Sequence, residues 1–251
     1  MRRTLALTFK ALLKWKSPDF SSGIVTKRGT ELSDNGIHCF SNNAILIIFN
    51  FAVQSKAHML GLKLSTDPRW ANIAESNLEE ILTDHAWCEQ KAAINAINMI
   101  ADNCEHQDLV DELTLIALEE MQHFQQVVNI IKERGYTLGR GRKDDYVGQL
   151  MKFCKKDGSR NNAFIERLLF AAMIEARSCE RFRTLSLNIK DKELAKFYHD
   201  LMVSEATHYT TFLGFARKYS VDVDVDKRWK EWLEFEGELI KSFGTKEAIH
   251  G

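Results

Sequence analysis

Proline is nearly absent from this chain, with two in 251 residues. Little therefore removes backbone donors or clashes with a preceding helical turn. Long runs rich in Leu, Ala, Glu and Lys favour an all-α fold over a β fold. No apolar run reaches the roughly 18 residues of a membrane-spanning helix, so no membrane partner is expected. The five cysteines are odd in number and contain no Cys-x-x-Cys pair. That excludes a disulfide framework, a zinc ribbon and a rubredoxin-type iron site, and fits a reduced cytoplasmic setting. A flavin or nicotinamide fingerprint is missing as well. What is present, 45% hydrophobic and 27% charged residues, supplies a core and excludes a disordered or fibrous chain.

The net charge of −1 hides an asymmetry: residues 1–58 carry eight Lys and Arg against three Asp and Glu, and the remainder is acidic. This first segment has no sustained helical repeat. Its apolar run at residues 44–53, AILIIFNFAV, is broken by Asn50. It reads as a signal-peptide core, as a buried added element, or as leader sequence upstream of a start at Met59. The last reading is preferred because organised patterning begins just after Met59. Residues 1–58 are thus expected to be an atypical extension, and 59–251 the folded domain.

From Ser65 onward the chain reads as helices. Thr66-Asp67-Pro68 suits a helix start, and Ser76-x-x-Glu79 is a capping box for a longer helix. That helix would turn inward Leu78, Leu82, His85, Glu89, Ala92, Ala96 and Met99, an alternation of four- and three-residue steps. After a turn at 101–107, a second helix from near Asp108 to Gly135 repeats it with Leu109, Leu113, Ile116, Glu120, His123, Val127 and Ile130. A third, after Asn161-Asn162, gives Phe164, Leu168, Ala171, Glu175, Ser178, Phe182 and Leu185. A fourth, after a turn at 188–191, gives Leu194, Tyr198, Leu201, Glu205, His208, Phe212 and Phe215. Short turns make two antiparallel hairpins, and the long connection between them crosses the bundle. One or two further helices are expected, at 146–155 and 226–243.

Each seam is apolar except at its middle. There sit Glu89, then Glu120 with His123, then Glu175, then Glu205 with His208. At about 1.5 Å rise per residue, these positions lie at one height in both hairpins. Four buried carboxylates at one level are costly without compensating charge. An ion-pair layer would need cations on the seams, and none of the four carries Lys or Arg. Two divalent or trivalent metal ions supply the charge and accept carboxylate and imidazole ligands. One Glu on each of two helices with Glu-x-x-His on the other two is the ferritin-like dimetal constellation. A third match, Glu247-x-x-His250, has no partner helix and reads as accidental. His85 reads as a hydrogen-bonded core histidine, and Glu119 and Glu180 as solvated or paired. His106 and His199 read as exposed, and Cys88 and Cys179 as packing residues.

Carboxylates with two imidazoles and no thiolate suit iron or manganese. Hydroxylation or desaturation of a substrate, oxidase chemistry and iron storage all remain compatible with such a site. So is a ferritin-like oxidase or iron-handling protein, while a metal-free interaction bundle is the bland alternative. Residues 132–160 carry nine Lys and Arg against four acids, with a glycine-spaced loop GRGRK at 139–143. That stretch is a candidate phosphate contact.

The words MLGLKLSTDPRW (59–70), ILTDHAWCEQKAA (81–93), LEEMQHF (118–124), IEARSCERF (174–182) and SEATHY (204–209) carry a family likeness. From Met59 to the C-terminus the chain resembles the tRNA hydroxylases that act on 2-methylthio-isopentenyl-adenosine beside the anticodon. The resemblance implies a ferritin-like bundle with two non-haem iron ions and dioxygen as co-substrate. It implies Glu89 and Glu175 as terminal ligands, Glu120 and Glu205 as bridging or shifting ones, and His123 and His208 as nitrogen ligands. The tRNA anticodon arm would be the partner, held by the basic stretch. Arg177, Arg181 and Arg183, near the site on the third helix, read either as further phosphate contacts or as solvent-facing salt bridges. Electrons would come from a separate reductase or ferredoxin.

Overall fold

The computed structural model describes residues 59–243 and 248–249. The expected extension 1–58 and the third Glu-x-x-His at Glu247 and His250 lie outside the described residues. After a 3₁₀ turn at Met59–Gly61 come seven α-helices: α1 Trp70–Ser76, α2 Leu78–Asp102, α3 Gln107–Glu133, α4 Asp145–Phe153, α5 Arg160–Asn188, α6 Lys192–Tyr219 and α7 Val225–Ile240. No strand occurs among the described residues. None of these helices is long and apolar enough to cross a membrane.

Local chemistry sets the helix ends. Ser159, Asp191, Asp144 and Asp224 each accept a bond from the backbone N–H three residues on, at Asn162, Leu194, Val147 and Lys227. These N-caps satisfy donors that the first turn leaves orphaned. Ser159 therefore starts α5 at Arg160, ahead of the expected Asn161-Asn162. Gly135 closes α3 in the left-handed region (φ 73°), with its N–H on Lys132 O and that of Tyr136 on Ile131 O. A side chain at that φ would be strained, so glycine fits the stop.

One expected cap is not made. Ser76 still belongs to α1, and its Oγ donates back to Asn72 O. Glu79 instead accepts from Thr137 N in the connection after α3. The helix start expected at Thr66-Asp67-Pro68 becomes a turn, with Trp70 N donating to Asp67 O and α1 following.

The α2–α3 and α5–α6 hairpins form the four-helix bundle. The core is divided at mid-height. Ala96, Met99, Leu113, Ile116, Leu168, Ala171 and Phe212 belong to one apolar cluster. Ile81, Leu82, Ala86, Val127, Phe182, Tyr198 and Leu201 belong to the other. Between them lies the polar level at Glu89, Glu120, Glu175 and Glu205. Burial of each large apolar side chain above and below contributes about 1.5–3 kcal/mol, which is what holds that level shut.

The third helix of the bundle is buried on more than its seam. Helices α4 and α7 and the segment leading into α1 cover its rear. Arg177 and Arg181, read as phosphate contacts or solvent-facing salt bridges, are both 0% exposed there and so do neither. Arg177 bonds Glu236 on α7 at 2.8 Å, Glu180 at 2.7 Å and Leu64 O at 2.9 Å. Glu180, paired as one reading had it, also accepts from Thr66 N. Arg181 lies over the Trp70 ring, 4.2 Å from its centroid. Arg183 alone of the three is exposed. His106 is likewise not free: it packs on the Tyr219 ring at 4.1 Å. His199 is exposed, and Cys179 is buried in the core.

Candidate metal centre

The six residues singled out by the seams converge. Each comes from the middle of a long helix, with the apolar clusters packed above and below it. Glu89, Glu120, Glu175, Glu205 and His208 are each 5% exposed or less, and His123 is 9%. One ligand atom from each of Glu89, Glu120, His123 and Glu205 can be chosen so that all lie within 4.8 Å of one another. The same holds for Glu120, Glu175, Glu205 and His208. Glu120 and Glu205 belong to both sets. Nδ1 of His123 faces inward, 3.7 Å from Glu89 Oε2 and 3.7 Å from Glu120 Oε2. Nδ1 of His208 also faces inward, 2.9 Å from Glu120 Oε1 and 3.3 Å from Glu205 Oε2.

The electrostatics describe a layer short of positive charge. Burial raises the Glu120 carboxyl above its usual range, helped by the charge of Glu89. Burial pushes Glu175 up further, reinforced by Glu205 and Glu120. Burial would also raise Glu89, but the Glu120 carboxyl facing it and the imidazoles of His85 and His123 overrule it and hold it at about 2. Burial alone would lower the two imidazoles. Surrounding carboxylates instead raise His123 to about 10 and His208 well above its ordinary value. Without cations the layer holds protons where metal ions would otherwise supply charge.

Orphaned atoms test whether a metal fits. Both oxygens of Glu120 and Nδ1 of His123 are buried without a hydrogen-bond partner. Such groups are rare in folded proteins and costly in a dry core. They point into the layer, and carboxylate oxygen with imidazole nitrogen is the donor set of iron or manganese. The residues present fit a metal site.

Two neighbours complete it. His85 Nε2 lies 2.6 Å from Glu89 Oε1, as a hydrogen-bonded core histidine, with its ring near those of Phe182 and Tyr198. Glu119 Oε2 lies 2.9 Å from His208 Nε2. Seam periodicity passes over Glu119 because it projects off the core face; its only trace in the sequence is a second Glu beside Glu120.

The basic stretch is largely neutralised. Arg134 pairs with Asp191, Arg142 with Glu80, Lys155 with Glu231 and Arg160 with Glu105. Lys132, Arg140 and Lys156 are exposed and have no ion-pair partner among the described residues. The glycines of the loop have a packing reason. A Cβ on Gly141 would sit 3.3 Å from the Trp87 ring, and one on Gly139 3.1 Å from Thr83 Cγ2. Trp87 Nε1 donates to Gly139 O and ties the loop to α2.

Two helical hairpins closing on such a layer define the ferritin-like class of all-α proteins. The family model described as tRNA-(MS[2]IO[6]A)-hydroxylase (MiaE) matches residues 52–251, and the chain belongs to that family. It is 36% identical over 185 residues to the tRNA 2-(methylsulfanyl)-N(6)-isopentenyladenosine(37) hydroxylase of Pseudomonas putida, covering 74% of this chain and 89% of that one. A relative of the same description from Salmonella typhimurium is 33% identical over 144 residues, 57% of this chain and 52% of its own. Among solved structures, a Synechococcus protein with aldehyde deformylating oxygenase activity is similar. Its TM-score is 0.70 at 29% identity, covering 76% of this chain and 95% of that one.

Proposed function

We propose that this chain is a non-haem diiron monooxygenase that hydroxylates the isopentenyl side chain of 2-methylthio-isopentenyl-adenosine beside the tRNA anticodon. The observation that carries the reading is the pair of overlapping four-residue clusters sharing Glu120 and Glu205. Glu89 and His123 would hold one iron and Glu175 and His208 the other, with Glu120 and Glu205 serving both. Bound there, the two irons supply dioxygen activation. One oxygen atom enters a C–H bond of the side chain and the other leaves as water, with two electrons and two protons consumed. The electrons come from a separate reductase or ferredoxin, in the cytoplasm.

The chain's own residues position and seal. His85 holds one oxygen of Glu89 in a fixed orientation. The apolar clusters on either side exclude water from the layer. The core has no room for a nucleic-acid helix, so the modified base must be splayed from the anticodon loop for its side chain to reach the irons. Lys132, Arg140, Lys152 and Lys156 of the basic stretch, and Arg183 on α5, are exposed cations without an ion pair among the described residues and so free to meet phosphate.

Nucleoside mass spectrometry of tRNA from a deletion strain tests the reading. The hydroxylated nucleoside should vanish and its unhydroxylated precursor accumulate. The wild-type gene should restore it, and Glu120→Ala should not. Undiminished hydroxylated nucleoside in the deletion strain would reject the assignment.

A further inference from the structure

The two halves of the layer repeat one scheme, yet their surroundings differ. His208 has its inward Nδ1 near Glu120 and Glu205, and its other nitrogen bonded to Glu119 at 2.9 Å. His123 also turns Nδ1 inward, but its Nε2 has no protein partner among the described residues. Its side chain is 11% exposed, against 1% for His208. The sequence repeat contains the reason. Glu119 precedes Glu120 in the α3 motif and serves the histidine of α6. The matching position before Glu205 is Ser204, which makes no bond to His123.

The carboxylate ligands differ in the opposite sense. His85 donates to Glu89 Oε1 at 2.6 Å and so competes with a metal for one of its oxygens. Glu175 takes no hydrogen bond from outside the six residues, among those described.

We propose that Glu119 is a positioning residue for His208 and makes the two metal subsites unequal, the Glu175–His208 subsite binding its ion more tightly than the Glu89–His123 subsite. A neutral imidazole carries one ring proton. Glu119 accepts that proton's hydrogen bond at Nε2, which leaves the Nδ1 lone pair free for a metal and fixes the ring plane. The carboxylate also makes the ring a better donor and adds negative charge beside the ion. His123 has only solvent to hold its tautomer. The inference rests on the dimetal reading given above.

Anaerobic titration of the metal-free protein with Co(II) as the probe, followed by visible absorption and calorimetry, tests it. The wild type should bind in two steps. Glu119→Ala should weaken the tighter step by about 10- to 100-fold and leave the weaker one in place. Glu119→Gln keeps an acceptor for the Nε2 proton and should recover most of the loss. His208→Ala should remove the step that Glu119→Ala weakens, and His123→Ala the other. Glu119 has a side chain 53% exposed but bonds the buried His208 ring, so the metal-free alanine variant should stay folded with a modestly lowered melting temperature, which Glu119→Gln should restore. Wild-type binding by Glu119→Ala, or loss of the His123→Ala step instead, would overturn the inference alone. A wild-type protein that takes up no Co(II) would overturn the dimetal reading beneath it.

Discussion

Nδ1 of His208 on α6 lies 2.9 Å from Oε1 of Glu120 on α3, joining the two hairpins at the level where the core is otherwise apolar. The two groups are not aligned as a hydrogen bond, and neither Glu120 oxygen has such a partner. A buried imidazole and carboxylate that face each other in this way are arranged around a third body. They are a liability to the fold when it is missing.

Glu120→Gln should therefore harm metal binding and spare the fold. The amide keeps the shape and is neutral throughout, in a layer where burial already resists the Glu120 charge. The metal-free variant should melt no lower than wild type, and about 2–4 °C higher if about 1 kcal/mol of repulsion is relieved. Metal retention after gel filtration should fall well below wild type. A collapse in metal-free melting temperature would mean that Glu120 is there for stability.

Protons and metal compete for the same atoms, which fixes a pH dependence. His123, raised from 6.5 to about 10 in the folded protein, contributes stability that is fully present below pH 6.5. That contribution is lost as pH rises through about 10. His208, Glu120 and Glu175 are raised too and act in the same direction. Glu89, held at about 2, acts oppositely, but its contribution is lost only as pH falls from 4.5 toward 2. Metal-free protein should therefore lose melting temperature from pH 6.5 to 10. Metal needs deprotonated ligands and binds better over that range, so the gap between loaded and metal-free melts should widen with pH. A constant gap would contradict the layer described.

Arginines in this chain do two kinds of work, and substitution should separate them. Arg177→Ala leaves Glu236 and Glu180 buried without their cation and should destabilise by about 3–5 kcal/mol. Arg140→Ala touches no ion pair and should leave the melt unchanged. If Arg140 meets a phosphate, its loss weakens tRNA binding and lowers the salt slope of log K by about one. Filter binding across a salt series reads this directly, and an unaltered slope would remove Arg140 from the interface.

The six clustered residues were legible in the sequence because they share a helix face with the core. One period of three and four residues carries both, so Glu89, Glu120, His123, Glu175, Glu205 and His208 stand out against their apolar neighbours. Arg177 and Arg181 were not legible in the same way. They lie off the α5 seam, and what buries them is α7, the segment before α1 and Trp70 at the head of α1, distant in sequence and without a local period. Glu119 was passed over for a related reason, since its partner is 89 residues away on another helix. The start of α2 misled because Ser76 had two local partners available, and its carbonyl neighbour Asn72 took the bond.

Iron-loaded crystals measured on both sides of the iron absorption edge put the dimetal layer to the strongest trial. Two anomalous peaks should lie in the layer, both touching Glu120 and Glu205, one beside Glu89 and His123 and the other beside Glu175 and His208. A layer with no peak, or iron held only by residues elsewhere in the chain, would contradict it.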